Sequence, residues 1–500
     1  MDAVDASQQQ VLPLAELVPS PEGQLPRARR IWCNRNLRLD HIEVVGFDMD
    51  YTLASYIQEA LDRLSVQETA KKLVALGYPR ALLDMPYPTQ FPIRGLLVDR
   101  KLGNVLKPDR HRYAKKAYHG TRELPSEERR RLYQARRVRP GTRRYHSIDT
   151  LYELSEVAVF VAAIDALEAL HGKVDYGQLY DDIRRCIDEA HRDGSIKSVI
   201  SAAPQDYVAR DPELPVMLHK LRSAGKKVFL LTNSESTYTE TVMRYLLEPG
   251  KPEYTSWRGY FDVVVTDAQK PRFFTEARAF EEVDDDGKAH ETKELVRGRI
   301  YRGGSLPEFE RMLGVRGDHV LYVGDHIFGD VLRAKKDSAW RTLMIVQEMT
   351  GEVAALERYA AEVERLRALE QRRDALLDAL HDRQGVWRGV ERRLEADAHE
   401  PREPADRVEL EAVRVRLRRS VDRIRSQLKA LDAEYDELES LVERASHPFW
   451  GSPFKAESEM SSFGEQVERY ACLYTDRVTN LLHYSASHYF RGPRHRMAHE

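Results

Sequence analysis

Five short apolar runs rich in β-branched residues punctuate the chain: IEVVGF from position 42, KKVFLLTN from 226, FDVVVTD from 261, HVLYVGD from 319 and TLMIVQE from 342. Runs of this length without polar alternation are strands buried on both faces. Helical stretches separate them, and a sheet covered on both faces by helices is an open, parallel α/β sheet. Ligands bind such sheets in the crevice beyond the carboxyl ends of the strands. Four of the five runs arrive there at Asp or Thr-Asn. One polar ending is an ordinary turn, whereas four aimed at one crevice are a site.

The spacing of the runs divides the chain. A core over 31–54 and 225–350 is interrupted by 55–224, far longer than a crossover helix needs, so a cap or substrate domain is inserted there. It holds a Pro- and Arg-rich part (MPYPTQFPIRG, RRLYQARRVRPGTRR) and a helical part (TLYELSEVAVFVAAIDALEAL, YDDIRRCIDEAHRDGSIK). Residues 1–30, with Gln, Pro and Ser and no periodicity, read as a flexible lead-in. From 351 to 447 the texture turns to Arg, Glu, Leu and Ala. Leu410, Val413, Leu417, Val421, Ile424, Leu428, Leu431, Tyr435, Leu438 and Val442 step by threes and fours, and HEPREPAD at 399–406 breaks the pattern. This predicts two antiparallel helices packed on their own seam, ahead of an intermolecular coiled coil. Residues 448–500 are expected to form a helical segment packing on the core. The fold class is therefore α/β, a Rossmann-like sheet with a large inserted cap and a C-terminal long helical hairpin.

Composition removes several function classes. Lys plus Arg total 78 against 81 Asp plus Glu, so no global charge favours nucleic acid or a membrane surface. The basic RGPRHR near the end reads as a solvated terminus rather than a nucleic-acid contact. Cys33, Cys186 and Cys472 lack CxxC spacing, which argues against a disulfide framework or zinc site and fits a reducing cytoplasm. The run Val157 to Ile164 is too short to cross a bilayer and no signal peptide is evident, so a cytoplasmic protein is expected.

In VVGFDMDYTL, two-residue periodicity turns Asp48 and Asp50 to one side. A carboxylate there is able to attack phosphorus and form an aspartyl-phosphate, while the second protonates the leaving oxygen and later activates water. Thr52 is placed to orient Asp50. The alternative is a strand end capped by an Asx turn.

DMDYTL resembles the first motif of the haloacid dehalogenase superfamily of phosphotransferases, and the remaining motifs follow in order. That resemblance makes LLTNSE the second motif, with Thr232 and Asn233 donating to the transferring phosphoryl group. TDAQKPRFF supplies Lys270, whose ammonium balances phosphate and nucleophile. YVGDHIFGD supplies Asp325 and Asp330. The implied cofactor is magnesium, held by Asp48, Asp325 and the backbone carbonyl of Asp50, with Asp330 supporting the shell and orienting Lys270.

Longer stretches, from NRNLRLDHIEVVGFDMDYTLASY through FPIRGLLVD and SWRGYFDVVVTDAQKPRFF to VERYACLYTDRVTNLLHY, are similar to the cytosolic purine 5'-nucleotidase family. This implies hydrolysis of purine nucleoside monophosphates, IMP and GMP preferred, with phosphoryl transfer to nucleosides as a side activity, in a dimer or tetramer. Carried over residue by residue, Arg184, Asp188, His191 and Lys197 surround the purine, Tyr152 stacks on it and Ser234 joins the substrate-binding set. Phe328 and Lys336 match the nucleotide-effector region of animal members, with Asp149 where Asn is expected. Two other readings stand beside this one: another small-molecule phosphatase of the superfamily, and a scaffold with a vestigial core acting through the hairpin.

Overall fold

The computed structural model describes residues 25–133, 137–284, 287–334, 338–396 and 404–493. The described chain divides into two units, 1–350 with 452–500, and 351–451.

The larger unit is built on one ten-stranded sheet. In chain order, β1 (Trp32–Cys33) and β2 (Val44–Phe47) are followed by β3 (Ser55–Tyr56), which lies outside that sheet. A separate five-stranded sheet comes next: β4 (Leu97–Asp99), β5 (Asn104–Pro108), β6 (Ala114–His119), β7 (Arg122–Glu123) and β8 (Tyr145–Ser147). The chain returns through β9 (Val208–Ala209), paired antiparallel with β3. Then come β10 (Lys227–Leu231), β11 (Val263–Thr266), β12 (Phe280–Val283), β13 (Ala289–Thr292), β14 (Ile300–Gly303), β15 (Val320–Gly324), β16 (Arg341–Ile345) and β17 (Leu473–Thr475). The large sheet runs β1-β17-β16-β15-β2-β10-β11-β14-β12-β13.

Its centre is parallel: β2 lies between β15 and β10, with Val323 and Leu230 both opposite Phe47. Four of the five apolar runs are thus adjacent strands, and the fifth is β16 beside β15. All four residues of β2 are buried. Gly46 is fixed by packing, because a Cβ there would stand 1.9 Å from the Phe229 ring of the facing residue on β10. Phe229 in turn joins Phe309, Tyr322 and Trp340 in an aromatic core under the sheet. Aromatic side chains bury roughly 150–250 Å² each, so this cluster is a principal anchor for the strands that carry the site.

Between β2 and β10 the inserted segment places helices α1 (Gln58–Ala75), α2 (Leu154–His171) and α3 (Tyr176–Arg192) alongside the five-stranded sheet. Asp175 caps α3 by accepting from the Gln178 N–H at 3.0 Å. Leu179, Ile183, Cys186, Ile187 and Ala190, three and four apart, form its buried face. After β10, α4 (Ser236–Leu247) begins close behind the strand end.

Three expectations change. The FEEV, AHET and IYRG segments extend the sheet as β12 to β14, although their charged alternation does not mark them as core strands. The described part of 448–500 is mostly not helical: it holds one α-helix, Ser462–Tyr470, and a short 3-10 helix, Val478–His483, and supplies β17, parallel to β16 with Leu473 opposite Leu343. Pairing with β16 gives the backbone of this short segment its hydrogen-bond partners. Of the 1–30 lead-in, 1–24 lie outside the described residues, and Leu25 is buried, with its carbonyl accepting from Arg30 at 2.8 Å.

The second unit contains α5 (Ala360–Ala396) and α6 (Pro404–Ser446). They run antiparallel, with Arg365 paired to Glu434 and Arg373 to Asp432. Leu417, Val421, Ile424, Leu428 and Leu431 are the buried middle of the expected seam, facing a partner helix in which Leu369 and Val390 are buried. Most of the connecting HEPREPAD stretch, residues 399–403, lies outside the described residues. No described helix is long and apolar enough to cross a membrane, and Cys33, Cys186 and Cys472 form no disulfide.

Candidate active site

The carboxyl ends of β2, β10, β11 and β15 converge on a cavity of about 410 Å³, within the ordinary range for a small-molecule site. Asp48 and Asp50 line it from the end of β2, Asn233 and Ser234 from β10, Lys270 from the loop after β11, and Asp325 and Asp330 from β15 and beyond. Tyr152, Arg184, Asp188, His191 and Lys197 line it from the inserted segment. Arg184, Asp188 and His191 share one face of α3 because they are four and three apart.

At the floor, Lys270 Nζ lies 2.9 Å from Asp48 Oδ1 and 2.7 Å from Asp330 Oδ1, and it donates to the Tyr322 hydroxyl at 2.9 Å. Burial opposes the ammonium charge, but Asp330 and Asp48 prevail and hold its pKa above the ordinary lysine value. Burial pushes the Asp48 carboxyl well above the usual range; Asp330, Asp325 and Asp50 add to this and Lys270 opposes it. Asp325 is pushed up to about 8, again by burial first, with Arg94 opposing. Gly324 is required because a Cβ there would stand 2.6 Å from the Asp330 side chain, which folds back to accept from the His326 N–H at 3.2 Å.

Asp48, Asp325 and Asp330 each present an oxygen within 4.8 Å of the others. Within the cluster Lys270 is shared by two acids, and Arg94 beyond it divides its charge between Asp325 and Glu348. A surplus of buried, oxygen-only negative charge fits a hard divalent cation.

Asp50 is held by two hydroxyls. Tyr56 donates to Oδ1 at 2.6 Å and Ser234 to Oδ2 at 2.7 Å. Thr52, the expected partner, is buried and its hydroxyl has no hydrogen-bond partner among the described residues. The reason is local: Tyr51 adopts a left-handed φ of 57°, and the turn it makes draws the N–H groups of Thr52, Leu53 and Ala54 onto the Met49 carbonyl. A left-handed aromatic residue stores strain, the kind of backbone outlier that clusters at functional sites.

The second strand end also differs from expectation. The Asn233 side chain is tied to the Lys270 backbone, donating to its carbonyl at 3.0 Å and accepting from its N–H at 2.6 Å. Thr232 is fully buried and its hydroxyl accepts from the Ser234 N–H at 3.1 Å. Both side chains fix the loops that carry Lys270 and Ser234 rather than projecting donors freely.

At the mouth, Tyr152 stands edge-on to His191, ring centroids 5.7 Å apart, and to Tyr51 at 5.1 Å. Arg184 Nη1 is 2.6 Å from His146 Nε2, and the guanidinium lies 3.7 Å from Glu156. Burial pushes Glu156 up to about 7, against the opposing charge of Arg184. The His191 pKa is lowered by burial and then by Lys197. Lys197 lies over the Tyr238 ring at 5.4 Å.

Sequence reasoning missed Tyr56, Tyr238, Arg94, His146, Glu153 and Glu156. Arg94 stood inside the quoted FPIRGLLVD, and an arginine between apolar residues is a usable signal for a buried ion pair. Lys336 lies outside the described residues. Phe328 is exposed, and burial followed by Glu153 pushes Asp149 up to about 7.

The sequence model of the 5' nucleotidase family matches residues 31–500. The human 5'-nucleotidase domain-containing protein 2 is 31% identical over 357 residues, 68% of this chain and 67% of that protein. Among solved structures, CbbY from Rhodobacter sphaeroides in complex with phosphate is 16% identical, over 61% of this chain and 86% of that chain, with a TM-score of 0.23. A predicted phosphoglycolate phosphatase from Haemophilus somnus is 11% identical over the same 61% and 86% of that chain, with a TM-score of 0.25. Both structural likenesses are distant.

Proposed function

Because the chain belongs to the 5' nucleotidase family, and so to the phosphatases, we propose that it hydrolyses purine nucleoside 5'-monophosphates, IMP and GMP ahead of others, with magnesium. The observation that carries this reading is the Asp48–Lys270 contact at the floor of a cavity whose mouth presents Tyr152, His191, Arg184 and Asp188. A phosphate fits the floor, and a flat, polar base fits the mouth.

Asp48 is the nucleophile. Its attack on phosphorus forms an aspartyl-phosphate and breaks the bond to the 5' oxygen, to which Asp50 gives a proton. Asp50 then takes a proton from the attacking water, which releases phosphate and restores Asp48. Lys270 holds Asp48 in place and balances charge on the phosphoryl oxygens, and Asp330 and Tyr322 hold Lys270. Ser234 is within reach of Asp50 and of the incoming phosphate. Asp48, Asp325 and the Asp50 carbonyl would hold the magnesium ion, with Asp330 adjoining. When bound, the ion supplies positive charge to the phosphate and to the crowded carboxylates.

For the base, Arg184 is a donor to purine carbonyl oxygen, while Asp188 and Glu156 are acceptors for ring N–H groups. That balance supports a 6-oxopurine over adenine, whose exocyclic amine and unprotonated ring nitrogen reverse the pattern. The 55–224 insertion acts as the cap carrying these groups. The resemblance to the cytosolic purine 5'-nucleotidases supports a cytoplasmic homo-oligomer.

A phosphate-release panel tests the reading. IMP and GMP should exceed AMP and sugar phosphates in kcat/KM by about tenfold or more, as expected when polar groups of the site lose their partners, and chelation should abolish release. Equal rates across the panel would remove the purine assignment.

A further inference from the structure

We propose that Tyr56 is a positioning residue for Asp50, so that the strand leading out of the core sheet sets the group that delivers the proton. This rests on the reading of Asp50 as acid and base. The Tyr56 hydroxyl has one proton, and the 2.6 Å contact gives it to Asp50 Oδ1. The Tyr238 hydroxyl, 2.8 Å from that of Tyr56, must then be the donor to it. The result is a directed chain from Tyr238 through Tyr56 to Asp50, in which each bond polarises the next. All three side chains are buried, where such contacts are strongest.

The ring that carries the hydroxyl is fixed from two sides. Tyr51 packs against it at a centroid distance of 4.9 Å. Behind it, β3 is stitched to β9, Tyr56 opposite Val208, and the Ile57 N–H donates to the Tyr207 carbonyl at 2.8 Å. These two short strands are where the chain leaves the core and comes back. Tyr238, on the first turn of α4, ties the same point to the strand end that carries Ser234.

Oδ2 accepts from Ser234 at 2.7 Å, so both oxygens of Asp50 are held in place. In the first step the Asp48 oxygen bonds to phosphorus, the bond from phosphorus to the 5' oxygen breaks, and a proton moves from Asp50 to that oxygen. Asp50 is left as a carboxylate, and the Tyr56 bond strengthens as the charge appears. In the second step water gives a proton back to Asp50 and its oxygen to phosphorus, and the Asp48–phosphorus bond breaks.

The test compares leaving groups, using kcat/KM because it reports the steps up to phosphoenzyme formation. With a nucleoside monophosphate, Tyr56→Phe should lose about ten- to a hundredfold, the range for a hydrogen bond to a charged group. With p-nitrophenyl phosphate, whose leaving group departs as a stable anion, the loss should stay below about threefold. Tyr238→Phe should show the same selectivity with a smaller loss. Equal losses of Tyr56→Phe on both substrates, or no loss on either, would overturn the proposal. Asp50→Asn separates the two levels. If it keeps nucleotide turnover, the acid–base reading itself fails. If it is inactive while both tyrosine variants match the unaltered enzyme, only the positioning role of Tyr56 fails.

Discussion

Lys270 and Asp48 meet at 2.9 Å with both side chains buried, and the same ammonium serves Asp330. One cation between two acids leaves Asp48 poorly compensated, consistent with its raised pKa. Charge needed for chemistry is here held at the expense of stability. Asp48→Asn should therefore reduce phosphate release at least about a thousandfold, as loss of a covalent nucleophile does, while raising the thermal midpoint. Steady-state assays with a melting curve on the same preparation check both halves, and a variant that melts lower would contradict the charge argument.

Arg94 should prove a structural keystone of the site. Its guanidinium is buried, donates to Glu348 at 2.7 and 2.6 Å, and also donates to the Asp325 carbonyl. Arg94→Met strands Glu348 without its partner, which costs about 3–5 kcal/mol for buried pairs. The double change with Glu348→Met should recover part of that loss. Urea denaturation of the three variants gives the coupling directly.

Glu156 predicts a pH dependence of stability. Its folded pKa of about 7 lies above the ordinary 4.5, so the folded state binds the proton more tightly. The stabilisation is complete below the ordinary value and is lost as pH rises through about 7. The melting midpoint should fall between about pH 5 and about pH 8, and Glu156→Gln should flatten part of that fall. Asp149, also pushed up to about 7, and Asp325, pushed up to about 8, contribute to the same fall. An unchanged profile in the Gln variant would assign the slope elsewhere.

The hairpin can be tested separately. Val421 is fully buried in the middle of the α6 seam, so Val421→Asp places an unpaired carboxylate there, costing about 3 kcal/mol or more. Calorimetry should show an early transition of the 351–451 unit. Hydrogen exchange should assign the lost protection to α5 and α6.

The strand-end acids and Lys270 were legible because each follows an apolar run and chemistry demands charge there. The groups that hold them were not. Tyr56 looks like any aromatic after a strand, and only the antiparallel pairing of β3 with β9 brings its hydroxyl to Asp50. Thr52 was read as that partner because it is near in sequence, but the left-handed turn at Tyr51 settles its backbone on Met49, and its hydroxyl has no partner among the described residues. Strands β12 to β14 were hidden for a related reason. Near the sheet edge Glu281 and Glu282 are consecutive and both partly exposed, and Arg302 is exposed, so neither face reads as apolar, and periodicity over four residues is too short to separate that from a loop. The hairpin seam was legible over its middle because a three-four step sustained across many turns has no competing reading.

The position of β2 between β10 and β15 governs when the enzyme becomes whole during synthesis. Its neighbours are encoded at 227–231 and 320–324, and the sheet gains β17 only at 473–475, after the entire hairpin has been translated. A chain emerging from the ribosome thus presents Asp48 long before both strands that flank it exist, since the first is complete only at 231 and the second at 324.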